Sequence, residues 1–366
     1  MIIWFLIIVP IIFLTVLLYK YNKHITWWEV TLHISVSILL IFICKLFSEY
    51  KLTSDTEYLG GLVKNTEYYQ SWNEYIYQTC TRTDSKGNVT TYDCSYVMTH
   101  PEYWTVELVD GRVFHVSEDL YTKIVNKFNN ATFVDLYRAY HTRDGDKYVS
   151  VWNNDFSNYH FFVNENTYTN KVQATNSVFN YPNVSKDEIL EYGLFEYPEV
   201  EEFDIPTILP VSSNNFEIEK RLKYINGKFG PEIQLRLWIL LFKNKSKKSG
   251  QLQEFLWKGG NKNEFVICIG IDDKNNIKWN HIFSWTESQD LKIETRNFIS
   301  VQDTLNLLEL SNYIETEFPK KWKRKPFSDF NYLTVEPPLS ALIIAFILQI
   351  IFNIIHGVWI VKNHYD

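Results

Sequence analysis

Three apolar runs decide what this chain can become. Ile2 to Leu18, Trp27 to Phe47 and Pro338 to Val361 carry few or no charges, two at the front and one at the back. Each is about 17 to 24 residues long, enough at 1.5 Å per helical residue to cross a hydrocarbon core of about 30 Å. A helix satisfies its backbone groups internally, so it is the form such runs take in lipid. The first run lacks a basic leader and a small-residue cleavage site, and a second apolar run follows at once. It is therefore read as a retained helix rather than a signal peptide, kinked at Pro10. The expected class is α+β, with three transmembrane helices, two N-terminal and one C-terminal, around a two-part mixed soluble domain.

Composition sets the first boundaries on function. The net charge is −7, which gives no general attraction to nucleic acid. Aromatic residues make up 17 % of the chain, many of them Tyr and Trp in polar segments. That pattern suits half-buried pleated surfaces, or an adhesive binding face, and it speaks against disorder. The expected organisation is two helices over 1–48, a hairpin-rich α+β unit over 51–198 and a linker at 199–213 rich in Pro, Glu and Asp. An α/β unit over 214–318 follows, then a basic linker at 319–337 and a final helix with a short tail at 338–366.

Loop charge bears on orientation. The short loop Tyr19 to His24 carries Lys20 and Lys23, which favours the cytoplasm and places the large domain on the exoplasmic side. Lys320, Lys321, Lys323, Arg324 and Lys325 lie on the domain side of the last span and pull the other way. Charges in long domains weigh less, and this run also suits a solvated face or a contact with acidic lipid headgroups.

Along the domain, Glu67 to Tyr77 is expected to be helical. Cys80 to Cys94 alternates about a turn at Ser85-Lys86-Gly87-Asn88. A three-residue loop there pairs position i with 174 − i and sets Cys80 opposite Cys94. Trp104 to Val116 is a second hairpin turning at Asp110-Gly111, and Glu118 to Phe128 a helix capped by Ser117. Strands are expected between Asp135 and Val163, broken at Asp144-Gly145-Asp146, and a capped helix over Ser185 to Tyr192. Further on, helices are expected at Phe216 to Ile225 (capped by Asn214 or Asn215), Gly250 to Trp257 and Val301 to Glu317. Strands are expected at Glu232 to Phe242, Phe265 to Ile271 and Ile277 to Trp285.

Few residues point to chemistry. Cys80 and Cys94 can form a disulfide in an oxidising compartment, closing a loop of about 15 residues worth about 3 kcal/mol. The alternatives are a zinc site completed by His100 and His115, without the paired Cys-x-x-Cys spacing of structural zinc, or free thiols. Cys44 and Cys268 read as small packed hydrophobes. Glu29 and His33 stand four apart near one end of the second span, and Asn353 and His356 lie in the last. Ionisable groups there are costly and often functional, whereas an interfacial pair and helix–helix hydrogen bonding are the plainer readings. Glu264, Asp272 and Asp273 can offer oxygen ligands to a divalent cation, calcium or magnesium, or simply face solvent at a hairpin tip. Gly259-Gly260 lacks Walker spacing, and no nucleophile–base set assembles from the sequence.

Two resemblances add to this. Glu219 to Asn226, the strand Gln234 to Phe242, the segment Trp257-Lys-Gly-Gly-Asn-Lys-Asn263 and the strand Phe265 to Ile271 running into Asp272-Asp273 resemble the TPM domain. The likeness covers roughly Phe216 to Glu315. It implies a membrane-anchored domain held outside the cytoplasm, with divalent-cation binding and phosphatase activity. The chain departs from the family pattern at Asn263-Glu264, where Asn-Gly is usual, and lacks an evident arginine after the acidic pair. More loosely, Ile25 to Glu29, Asp55 to Tyr58, Asp93 to Tyr96 and His100 to Trp104 resemble membrane proteins of tailed-phage and bacterial genomes.

The reading these features support is an integral protein of a bacterial inner membrane, phage-encoded on the second resemblance. It presents an exoplasmic domain for binding or scaffolding at an envelope. Its expected partners are the lipid bilayer, another envelope or virion protein and a second copy of itself, with no nucleic acid. The rivals are a cation-dependent TPM-type phosphatase or hydrolase, and an oligomeric channel or transport component.

Overall fold

The computed structural model describes residues 2–21, 25–127, 132–136, 147–151, 161–175, 181–200, 206–211 and 216–365. It is mixed helix and strand, with three helices long and apolar enough to cross a membrane: Ile3–Tyr21, Trp27–Thr53 and Leu339–Asn363. The chain has the build of a membrane protein. It divides into two compact units, one of Met1–Glu57, Thr167–Pro182 and Pro326–Asp366, the other of Tyr58–Asn166 and Asn183–Lys325.

The first unit holds the three apolar helices. Its chain starts as a 3-10 turn, Ile2–Ile7, and becomes α-helical at Ile8–Tyr21. Pro10, which cannot donate a helical N–H, stands three residues past the change from 3-10 to α-helix. The second helix, Trp27–Thr53, outruns its apolar stretch because Glu49, Tyr50, Lys51 and Leu52 continue it as good helix formers. Ile3, Ile41 and Ala345, one from each helix, are buried together. Past the end of the second helix, Asp55 Oδ2 accepts the Tyr168 hydroxyl at 2.8 Å and Asn170 Nδ2 at 2.7 Å. Tyr168 in turn meets Phe327 edge-on at 5.2 Å.

The second unit is built on two sheets. In the four-stranded sheet, Ile208–Leu209, Arg236–Lys243 and Glu264–Ile271 run parallel and Ile277–Ser284 antiparallel, in that spatial order. Strand periodicity explains its two cores. Leu237, Ile239, Phe265, Ile267 and Ile269 face one side, covered by the helices Phe216–Ile233, Gln289–Ser300 and Leu307–Lys321 through Leu222, Phe229, Leu291, Leu310 and Phe318. Trp238, Leu240, Phe242, Val266 and Cys268 face the other, under Leu252 of the helix Lys248–Leu256 and Trp257. Burial pushes the Cys268 thiol well above its ordinary range.

The other sheet orders Val113–Val116, Tyr103–Leu108, Ser54–Tyr69, Lys147–Val151 and Thr132–Leu136, with Phe161–Thr169 also paired to Ser54–Tyr69. Phe161 and Val163 belong to the same buried cluster as Trp238 and Phe242, so the two sheets share a core. Glycine permits one close approach here. A Cβ on Gly230 would lie 2.5 Å from the Gly60 carbonyl oxygen, and one on Gly227 would lie 2.6 Å from Leu62 Cδ2.

Several sequence expectations change. Glu67 to Tyr77 is extended, divided between Ser54–Tyr69 and Trp72–Ile76: Glu67 to Tyr69 pairs with strands on both sides, and Trp72 to Ile76 with Tyr96–His100, as its Tyr and Trp side chains favour. Val301 to Glu317 is not one helix. Val301 caps Gln289–Ser300, and a fresh helix starts at Leu307 after Asn306, whose side chain accepts the Glu309 N–H at 3.1 Å. The Trp104 to Val116 hairpin, the Ser117 and Ser185 caps and the Asp272 to Asn276 connection stand where the sequence puts them. The Asp144–Asp146 break and the Asn214 or Asn215 cap lie outside the described residues.

Candidate functional site

Residues 70–102 leave the second unit as an arm. Tyr69 pairs with Tyr103 in the large sheet, and beyond them, among the described residues, the segment pairs within itself: Trp72–Ile76 with Tyr96–His100, then Thr79–Thr83 with Val89–Asp93. Every rung obeys one register, i with 172 − i, so the two short sheets form one ribbon roughly 35–40 Å long at about 3.3 Å per residue. The residues suit this. Thr, Tyr, Val and Trp dominate the strands, and the turn is held by Asp84, whose Oδ1 accepts the N–H of Lys86 and of Asn88 at 2.8 Å each. Gly87, at φ 84°, supplies the left-handed step. The Asn88 N–H and side-chain amide hold the Asp84 carboxyl below its ordinary range.

Cys80 and Cys94 are disulfide-bonded, with Cα atoms 5.8 Å apart. Their placement corrects the expected pairing. The turn spans five residues, Asp84 to Asn88, so Cys80 lies opposite Tyr92, and Cys94 opposite Gln78, whose carbonyl accepts the Cys94 N–H. The bridge therefore runs diagonally across one face of the ribbon. His100, offered as a zinc ligand, instead stacks on Trp72 at 4.2 Å, and its Nε2 lies 2.9 Å from Glu74 Oε2.

What sets the arm apart is exposure. None of residues 70–102 is buried. Tyr75, Tyr77, Tyr92, Tyr96, Val97 and Met98 are between 45 % and 85 % exposed. Among the described residues no third strand pairs with either outer edge of the ribbon, the arrangement that accepts a further strand. The sequence signal for this was the aromatic content in polar segments; that the residues form a free ribbon was hidden by the helical reading of Glu67 to Tyr77.

The structure separates the proposed cation ligands. Glu264 opens an eight-residue strand and Asp272 follows its end, so about 25 Å divides them. Glu264 is 1 % exposed. Its Oε1 accepts the Tyr197 hydroxyl at 2.5 Å and Trp238 Nε1 at 2.9 Å, and its Oε2 the Asn261 N–H at 2.8 Å. Burial and the Glu264 charge push the Tyr197 hydroxyl well above its ordinary range. Asp272 caps its own turn, accepting the N–H of Lys274 and of Asn276 at 2.8 Å each, with Lys278 Nζ at 3.0 Å. Asp273 meets Asn244 Nδ2 at 3.0 Å and Lys243 Nζ at 3.2 Å. Among the described residues no three His, Cys, Asp or Glu side chains are grouped to hold a metal.

The intramembrane polar residues come together. His33 and His356 touch through their Nδ1 atoms at 2.9 Å, so one imidazole donates and the other accepts. Gln349 Nε2 donates to the Ser37 carbonyl at 2.7 Å, and Asn353 Nδ2 donates to the Gln349 carbonyl. Glu29 Oε2 accepts the Thr26 N–H at 2.8 Å. Ser37 and Gln349, both fully buried, were missed by sequence reasoning; their four-residue spacing from His33 and Asn353 was the available signal. In the basic run, Lys320 binds Glu317 at 2.8 Å, Lys321 binds Glu294 at 2.5 Å and Arg324 donates to Gln234.

A cleft of about 840 Å³ opens at the carboxyl ends of the parallel strands, lined by Leu241, Lys243, Ile271, Asp303, Asn306 and Glu309 among others. Open α/β sheets commonly bind ligands at that end. Comparison with protein-family models, curated proteins and solved structures finds no match for the chain.

Proposed function

We propose that this is a membrane-anchored binding protein that presents the 70–102 arm to a protein partner on the oxidising side of a bacterial inner membrane, in the setting of an envelope or a phage infecting it. The observation that carries the reading is the arm: a disulfide-stapled ribbon with exposed tyrosines and, among the described residues, no third strand at either edge. A disulfide persists outside reducing compartments, which supports the exoplasmic side. Exposed Tyr side chains supply contact area at modest entropic cost, and Met is enriched at interfaces.

Because Tyr69 and Tyr103 already face each other, Asn-Gly can replace residues 70–102 and close the hairpin. The shortened protein should insert and melt like the full chain, yet lose partner cross-linking and biological effect. Full retention of that effect sinks the proposal. Cross-links from photoreactive residues at Tyr77 and Tyr92 distinguish a foreign protein from a second copy.

The cleft at the strand ends favours a second reading, a TPM-type hydrolase working on a small ligand with a divalent cation. A thermal-shift screen with calcium, magnesium and manganese tests it. No shift in the full chain removes it.

A further inference from the structure

A groove of about 640 Å³ runs between the first and last apolar helices, within the first unit. Phe13, Leu17, Ile354 and Gly357 line its length, and Lys20 and Lys362 stand at one end. Gly357 forms its floor: a Cβ there would meet Leu17 at 3.6 Å, ordinary contact, so the groove owes its depth to an absent side chain and can be filled without strain.

Its dimensions match one membrane leaflet. From Ile354 to Lys362 the helix rises about 12 Å, and from Phe13 to Lys20 about 10 Å. Half of a 30 Å hydrocarbon core is about 15 Å. The apolar stretch thus lies at acyl-chain depth and the two lysines at headgroup depth. Among the described residues neither lysine sits in an ion pair; Lys20 Nζ lies 5.2 Å from the centre of the Tyr21 ring.

We infer that this groove is a binding site for one anionic phospholipid, an acyl chain lying along Phe13, Leu17, Ile354 and Gly357 and the phosphate held between Lys20 and Lys362. Charge complementarity selects the occupant. An uncharged groove takes any lipid, whereas paired ammonium groups at headgroup depth favour a net negative one. The site is independent of the basic run at Lys320 to Lys325, whose Lys320, Lys321 and Arg324 bind groups of the second unit. It is independent of orientation too, since it concerns whichever leaflet holds these two lysines.

Native mass spectrometry of the delipidated full-length protein tests this, titrated with phosphatidylglycerol and with phosphatidylcholine of identical acyl chains. At about 1 kcal/mol of surface attraction per lysine, and tenfold for every 1.4 kcal/mol, phosphatidylglycerol should bind roughly 10- to 30-fold more tightly. The double variant Lys20→Ala with Lys362→Ala should abolish that preference, and Lys20→Arg with Lys362→Arg should keep it. Gly357→Leu should weaken both lipids alike. The thermal midpoint of each variant checks that the bundle is intact. Equal binding of the two lipids by the native protein overturns the inference. So does a preference that survives the double alanine variant, or one that disappears instead in Lys323→Ala with Lys325→Ala.

Discussion

Two hairpins of this protein share one turn and meet opposite fates. Asp84-Ser-Lys-Gly-Asn88 joins the strands of the exposed arm, and Asp272-Asp-Lys-Asn-Asn276 joins two strands of the four-stranded sheet. In both, the first Asp N–H donates to the last Asn carbonyl, at 2.9 and 3.1 Å. In both, Asp Oδ1 accepts two backbone N–H groups and Oδ2 the Asn side chain. In both, the fourth residue is left-handed, Gly87 at φ 84° and Asn275 at φ 62°. The strands differ completely. Glu264–Ile271 is buried at all eight positions, and Val89–Asp93 is exposed at all five. Turn chemistry thus makes a hairpin locally, while strand composition decides whether it enters a core. An arm with no core beneath it needs another staple, and Cys80–Cys94 is placed to serve.

The largest expected effect tests the buried side. Phe265 is fully buried against Phe318, ring centres 4.8 Å apart. Phe265→Ala should lower stability by about 3–5 kcal/mol, through lost transfer energy and the cavity left behind. Tyr77→Ala, 85 % exposed, should stay within about 0.5 kcal/mol. Denaturant melts of the full chain in detergent measure both. Similar losses at the two sites would mean that the arm is packed in solution and break the comparison.

Next comes the staple. Cys94→Ser should take about 3 kcal/mol from the arm alone, the chain-entropy value for a loop of about 15 residues. Hydrogen exchange over Trp72 to His100 should accelerate while the melt of the sheets holds. Mass-tag alkylation makes the complementary check: in the native protein Cys80 and Cys94 react only after reduction, and buried Cys268 only after unfolding. A global shift in melting on losing the bridge would show that the arm and the core fold as one.

The apolar helices carry the same rule into lipid, where a buried polar side chain holds helices together rather than opposing burial. Gln349→Leu removes the bond to the Ser37 carbonyl and should destabilise the helix bundle by about 0.6 kcal/mol, at most about 1.7. Thermal melting in micelles reads this. A stabilising effect would mean that Gln349 is kept for something other than packing.

Legibility in the sequence follows from this division. The three spans and the positions of both turns rest on local chemistry and were readable; the length of the arm's turn, five residues where three were expected, was not. The helix Gln289–Ser300 was not, because Thr295, fully buried, occupies a core position of its apolar stripe between Leu291 and Ile299 and interrupts the period. Its hydroxyl is satisfied within the helix, on the Leu291 carbonyl at 2.7 Å. Glu67 to Tyr77 failed differently: only pairing with distant strands tells its extended form from a helix. The cation reading of Asp272 and Glu264 joined residues near in sequence, without the strand length that parts them. The arm's freedom is a matter of what does not pack on it, and no local pattern records that.

The smallest expected effect asks whether the two turns are equal once burial is set aside. The Asn276 side chain and backbone hold the Asp272 carboxyl below its ordinary range, as Asn88 holds that of Asp84. A carboxyl whose folded value is depressed lends its stability in full above the unfolded value, about 3.9, and loses it as pH falls through the lower folded one. Both turns should therefore hold firm from neutrality to about pH 5 and loosen in parallel below about pH 4. Asp84→Asn and Asp272→Asn should each remove the acid-dependent part of the loosening at its own turn. Amide exchange at Asn88 and Asn276, followed against pH, reads each turn separately. Parallel curves would show that the turn is an autonomous element, indifferent to the strands it joins. A curve for Asp272 that stays flat while Asp84 titrates would mean that the packed sheet, rather than the turn, keeps that hairpin closed, and would limit local control to the arm.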